Sequence, residues 1–164
     1  MKDMEVFVMK RILILMAAFI LLILSGCSSK SEQSIFGEYE FEEVSYLWPL
    51  SSSTKNSINR QMEGSKYIIN EDLFKIESEG YTVEYSSPKY VKEKISDEST
   101  MLSDVKTFIG NDVEYQYTIY DEYENKTMWR LYVSSNDIWI GRYNDRTKNG
   151  SEVIMYIYKL AKLE

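Results

Sequence analysis

The chain has 164 residues, 19 Lys and Arg against 26 Asp and Glu, a formal net charge of −7, one cysteine and no histidine. Without an imidazole the commonest general base, the usual nucleophilic triads and most zinc sites are excluded. The acidic balance argues against nucleic acid and anionic lipid head groups as partners.

The first element in chain order is hydrocarbon. Ile12 to Leu24 reads ILILMAAFILLIL, without a polar side chain, and Lys10 and Arg11 stand directly before it. A spanning helix needs about 20 apolar residues, so the block is short for one. A basic start, a short apolar core and a small-residue exit describe a secretory signal peptide. Asp3 and Glu5 do not suit a basic leading end, so a start at Met9 fits the pattern better than one at Met1.

The block closes on Leu24-Ser25-Gly26-Cys27, and Cys27 is the chain's one thiol. These four positions resemble the lipobox of bacterial lipoproteins: an aliphatic residue, two small ones, then the cysteine. The resemblance implies cleavage after Gly26 and a diacylglyceryl group, carrying acyl chains such as palmitate, on the Cys27 sulfur. The protein is then held on the cell membrane, facing away from the cytoplasm. One acyl chain binds membranes only marginally and two anchor stably, at about 0.8 kcal/mol per buried CH₂.

The expected organisation is a signal peptide over 1–26, a lipidated cysteine and tether over 27–34, and a folded domain over 35–164. Residues 1–26 hold three basic and two acidic side chains, so the 138 that remain carry 16 against 24, a net −8. That length makes one domain with a sizeable core. With its thiol acylated, the domain has no disulfide and no thiol nucleophile. Ser28 to Ser34, SSKSEQS, is small, polar and unpatterned, which suits a flexible tether reaching roughly 23 Å.

From Ile35 onward the chain reads mostly as strands, rich in Tyr, Ile, Val, Phe and Trp. Glu38-Tyr39-Glu40-Phe41-Glu42 alternates acids with aromatics, and Glu43-Val44-Ser45-Tyr46 slips phase, which predicts a bulge or a bend. Strands follow at 66–69 and 73–76 around the turn Asn70-Glu71-Asp72, then at 81–85 and 90–95 around Ser86-Ser87-Pro88, where proline blocks central pairing. Val113, Tyr115, Tyr117 and Ile119 share one strand face. Trp129, Leu131 and Val133 share another. Ser135-Asn136-Asp137 turns the chain into 138–143, and Asn149-Gly150 leads into 153–160, apolar or aromatic on both faces. Two segments look helical. Ser53 to Glu63 has Ile58 and Met62 four apart and Gly64 as a stop. Met101, Leu102, Val105, Phe108 and Ile109 fall at helical spacing, with Asp97 or Ser99 as the cap and Gly110 past the end.

The expected fold is mainly β: an antiparallel up-and-down barrel of about eight strands with one or two short helices. Closure removes sheet edges, and an interior of this size either fills with side chains or holds one small ligand. Ile35-Phe36-Gly37-Glu38-Tyr39, the helix after it, Gly64 to Ile69, and the closing hairpin of Leu131 to Tyr143 with Val153 to Leu160 resemble lipocalin-type small bacterial lipoproteins. Tyr39 stands where that family has tryptophan. The resemblance implies a barrel with room for a pocket and carries over no ligand.

The candidate pocket residues are Tyr39, Phe41, Tyr115, Tyr117, Trp129, Leu131, Tyr156 and Tyr158, aromatic bodies with a few polar handles. Each also fits a side chain that merely fills the core. Paired carboxylates such as Glu40 with Glu42, or Asp121, Glu122 and Glu124, read as solvated charge rather than as glycosidase acids. Asp121 to Asn125 offers oxygen ligands for calcium without EF-hand spacing. No catalytic residue, metal site or cofactor is expected. Two functions stay open: a tethered binding module for a small apolar or amphipathic molecule, and a structural or protein-interaction lipoprotein with a filled barrel. The partners expected are the membrane, through acyl chains on Cys27, and that small ligand, with no nucleic acid. Cys27→Ala is expected to abolish both acyl labelling and signal cleavage by the lipoprotein pathway. Metabolic labelling with a radioactive fatty acid checks this, and normal labelling of the variant would refute the anchor.

Overall fold

A computed structural model describes residues 34–95, 104–113, 115–144 and 152–163. The signal peptide, the lipobox, the tether up to Gln33, and Asn149-Gly150 lie outside the described residues. The described chain is mainly β. Its strands are β1 (Gly37–Leu47), β2 (Lys66–Ile69), β3 (Leu73–Ser78), β4 (Tyr81–Ser86), β5 (Lys89–Lys94), β6 (Tyr115–Tyr120), β7 (Lys126–Val133), β8 (Ile138–Asn144) and β9 (Val153–Lys162). Two helices accompany them, α1 (Lys55–Met62) and α2 (Val105–Ile109).

All nine strands form one sheet in the order β4-β3-β2-β1-β9-β8-β7-β6-β5, and every neighbouring pair is antiparallel. The sheet curls into a half-barrel. The strand count exceeds the expected eight for a physical reason. Alternation through nine strands leaves the two outermost, β4 and β5, running in the same direction. The two residues between them therefore cannot make a hairpin turn. Ser87 donates its N–H to the Asp72 carbonyl at 2.8 Å, on the β3 side, while Lys89 is already in register with Tyr120 of β6. One path is thus handed from β3 to β6 across Ser87-Pro88. Ser87 has a φ of +47°, and Pro88 has no N–H to offer a ladder.

The longest ladder joins the two ends of the domain. β1 pairs with β9 from Tyr39↔Lys162 to Leu47↔Tyr156, with irregularities between Phe41 and Glu43 and between Val44 and Tyr46. The phase slip read in the sequence is this pair of bulges. α1 serves the bulged stretch: Asn59 Oδ1 accepts the Val44 N–H at 2.9 Å, and Lys55 Nζ donates to the Ser45 carbonyl. Thr54 caps α1 by accepting the Ser57 N–H, and Gly64 after the helix has a φ of +76°.

α2 is shorter than the spacing predicted. Its cap is Asp104, whose side chain accepts the Thr107 N–H, rather than Asp97 or Ser99, which lie outside the described residues with Met101 and Leu102. Capping wins here because Asp104 sits where its carboxylate reaches an N–H that the helix leaves unpaired.

Two apolar clusters lie on opposite faces of the sheet. The larger one, on the concave face, gathers Tyr39, Phe41, Tyr67, Phe74, Trp129, Leu131 and Tyr158 with their neighbours, and takes Ile58 and Met62 from α1. The smaller, on the outer face, holds Tyr46, Val113, Tyr132, Trp139, Tyr143, Ile154 and Ile157, covered by Phe108 and Ile109 of α2. Tyr46 and Phe108 stack there with ring centroids 3.8 Å apart. This explains why β9 is apolar on both faces. Both clusters lie within residues 34–163, so this segment contains its own core.

Gly141 of β8 leaves room for Tyr132 of β7. A methyl group there would sit 2.9 Å from Tyr132 Cε2, and Tyr132 is fully buried. Gly141→Ala is expected to cost about 1–3 kcal/mol through this overpacking. A urea titration followed by circular dichroism checks it; an unchanged midpoint would mean that the Tyr132 ring yields freely.

Candidate functional site

The concave face does not fill completely. One cavity of about 1010 Å³ opens where β1 ends, β7 begins and β8 passes towards β9. Its apolar wall includes Leu47, Ile58, Tyr85, Met155, Tyr156 and Tyr158, and its polar wall includes Asp121, Lys126, Arg142 and Glu152. The volume is that of a pocket for a drug-sized molecule, about 300–1,000 Å³.

Strand pleating explains the wall. Tyr156, Tyr158 and Leu160 alternate along β9, so all three face the concave side. Tyr156 and Tyr158 stack nearly parallel with ring centroids 4.3 Å apart. Behind them lie Trp129, 6.2 Å from Tyr156, and Phe74, which stacks on Tyr85 at 5.7 Å. The wall is thus a continuous aromatic surface drawn from β3, β4, β7 and β9.

Of the eight residues expected to line a pocket, Tyr156 and Tyr158 line this cavity. Tyr39, Phe41, Trp129 and Leu131 belong to the same concave cluster but pack behind or below the wall, and the Tyr39 hydroxyl is spent on the Ile35 carbonyl at 2.9 Å. Tyr117 packs against that cluster from its edge. Tyr115 does not join them; it is 38% exposed, with the Lys92 ammonium 4.2 Å above its ring. Its position at the start of β6, far along the strand from Tyr120 and the mouth, accounts for this.

Several lining residues were missed by sequence reading. Arg142 is in phase with Ile138 and Ile140, so the alternation of β8 already set one cation on an apolar face. Tyr85 and Ile58 carry no comparable signal, because their approach to β9 depends on how the sheet curls.

The charges on the wall differ in what holds them. Asp121 turns its carboxylate into its own loop, accepting N–H groups from Tyr123 and Asn125 and the Asn125 side-chain amide. Those bonds hold its pKa below the usual value, the Asn125 side-chain amide contributing most. The Asp121 oxygens, part of the Asp121 to Asn125 set offered for calcium, are thus engaged in a turn. Among the described residues no group of three or more potential ligands is placed to hold a metal ion. Glu152 Oε1 accepts from Arg130 at 2.9 Å and from Lys126 at 2.8 Å.

Arg130 is 1% exposed, and its guanidinium also donates to the Thr127 and Trp129 carbonyls and lies 5.2 Å from the Tyr143 ring centroid. Tyr132 and Tyr143 share a hydrogen bond beside it. This is a structural network that pins the start of β9 to β7. Arg142 is held differently: its Nε donates to the Met128 sulfur at 3.0 Å, and its guanidinium lies 6.0 Å from the Tyr156 ring centroid.

Three buried polar atoms in the described interior have no hydrogen-bond partner: the Tyr67 and Tyr90 hydroxyls and the Trp129 indole N–H. Trp129 Nε1 lies towards the Tyr85 hydroxyl and favours its ionised form, but the pair falls short of hydrogen-bond geometry. Each such group costs about 1–3 kcal/mol when left dry. No family model, no curated protein and no solved structure matches this chain.

Burial raises five tyrosines of the two clusters. Tyr143 and Tyr156 are pushed up to about 12, and Tyr67, Tyr132 and Tyr158 further still. The unfolded chain releases these protons near pH 10 while the folded chain keeps them, so stability falls as pH rises above about 10. Tyrosinate absorbance from the buried rings is expected to rise only together with loss of the circular dichroism signal. A single smooth titration with the fold intact would contradict this. Tyr67→Phe is expected to leave stability unchanged or raise it by about 1 kcal/mol, since it deletes an unpaired hydroxyl. Thermal unfolding measures it, and a clear loss would show that the hydroxyl has a partner.

Proposed function

We propose that this chain is an extracytoplasmic lipoprotein, anchored to the cell membrane through acyl chains on Cys27, whose domain binds one small apolar or amphipathic molecule without chemically changing it. Counting the bent path Tyr81–Lys94 as one strand, the half-barrel becomes a lipocalin-like barrel of eight paths with its mouth beside α1. The observation that carries the binding role is the aromatic-walled cavity of about 1010 Å³. Concave sites of about that size, with aromatic side chains and placed polar groups, are where small molecules bind, and here polar and apolar groups share the wall about equally.

One observation favours the alternative of a structural or protein-interaction lipoprotein. Below the cavity the interior is filled: Ile69, Phe74, Ile119, Leu131 and Ile140 are fully buried. Native mass spectrometry of the lipid-free chain from Ser28 onward, after exposure to a lipid and metabolite extract, separates the two. A discrete added mass that is lost on denaturation is expected. A bare mass in every extract would favour the filled barrel and a protein partner.

A further inference from the structure

We infer that the cavity's ligand carries an anionic group, a carboxylate or sulfonate type of head on an apolar or aromatic body, and that Arg142 receives this head. The inference rests on reading the cavity as a ligand site and adds the chemical class of what fills it.

The four charged residues on the wall differ in what they bind. Lys126 and Glu152 satisfy each other, and the buried Arg130 claims the same Glu152 oxygen from behind. Asp121 is consumed by its turn. Arg142 stands apart. Among the described residues no carboxylate lies within ion-pair distance of it, and the acceptor on its Nε is a thioether, one of the weakest available. Its guanidinium also leans on the Tyr156 hydroxyl, and the terminal N–H donors that remain lie in the planar fork that suits a two-oxygen anion.

Its setting strengthens that preference. Arg142 is partly buried and stands over the face of Tyr156, in phase with the apolar Ile138 and Ile140. Its charge, next to the Tyr156 hydroxyl, favours the ionised form of that hydroxyl, opposing the burial that raises it. A cation on a low-dielectric concave wall focuses positive potential into the cavity even though the chain as a whole is acidic. The Tyr156 and Tyr158 rings, stacked on each other beside the guanidinium, line the cavity and give the ligand's body an aromatic contact.

A matched pair of fluorescent probes tests this: anilinonaphthalene sulfonate and uncharged phenylnaphthylamine, which share one aromatic body and differ by the sulfonate. Each is titrated against the lipid-free chain from Ser28 onward and against Arg142→Gln, Arg142→Lys and, as a control for net charge, Lys162→Gln on the exposed end of β9. The sulfonate is expected to bind one site about tenfold or more tighter than the neutral probe, as one charge-assisted hydrogen-bonded pair supplies. Arg142→Gln should erase that ratio by weakening only the sulfonate, Arg142→Lys should keep part of it, and Lys162→Gln should keep all of it. Equal binding of the two probes, unaffected by Arg142→Gln, overturns the anionic head while leaving the cavity a ligand site. Loss of the ratio in Lys162→Gln as well assigns it to overall charge and also overturns the role of Arg142. If neither probe binds, the cavity reading fails and the inference fails with it.

Discussion

The rest of the domain depends on the ladder between β1 and β9. It joins the first strand to the last, across more than a hundred residues of chain; the pair Lys159 and Glu42 that bridges it spans 117 positions. Without it, β1–β4 and β5–β9 would be two separate meanders, each with an apolar face open to water. Closing so long a loop costs conformational entropy before any contact repays it. The repayment comes from both faces at once: Tyr156, Tyr158 and Leu160 bury on the concave side, Ile154 and Ile157 on the outer side under α2.

The same ladder builds the cavity. Its two bulges lengthen β1 against β9 and bring Leu47 level with Tyr156, both of which line the cavity. α1 then fits over the bulged stretch, because Asn59 and Lys55 satisfy backbone groups that the irregular ladder leaves unpaired. A bulge is a local loss of pairing, and here that loss is converted into a packed helix and an opening. At the far side of the sheet Ser87-Pro88 does the complementary job. It keeps the two outermost strands covalently joined where hydrogen bonds do not join them.

The interior is divided by polarity as well as by packing. The deep part is hydrocarbon and aromatic rings at full burial; the shallow part mixes aromatic faces with four charged groups. Three of those charges are tied into the protein's own turns and ion pairs, and the Arg130–Glu152 contact is a strut of the outer face reached through the mouth. The asymmetry matters because a cavity whose charges were all paired internally would offer a ligand only apolar contact.

Strand identity, the bulge in β1, the turns at 70–72 and 135–137, and the helix at 55–62 were all legible in the sequence, because each is set by neighbours a few residues apart: alternation, Asx and glycine chemistry, and helical spacing. The phase of Arg142 with Ile138 and Ile140 was legible for the same reason. Membership of the cavity wall was not. Tyr115 and Tyr156 look alike as pattern, yet one meets solvent and the other lines the cavity, since depth along a strand is fixed by register and curl. The bend at Ser87-Pro88 was visible as a break, but not as the point where the chain passes from β3 to β6. That passage depends on the direction of seven other strands. Short-range physics determined the elements; burial shared among distant strands decided which faces became wall, core or surface.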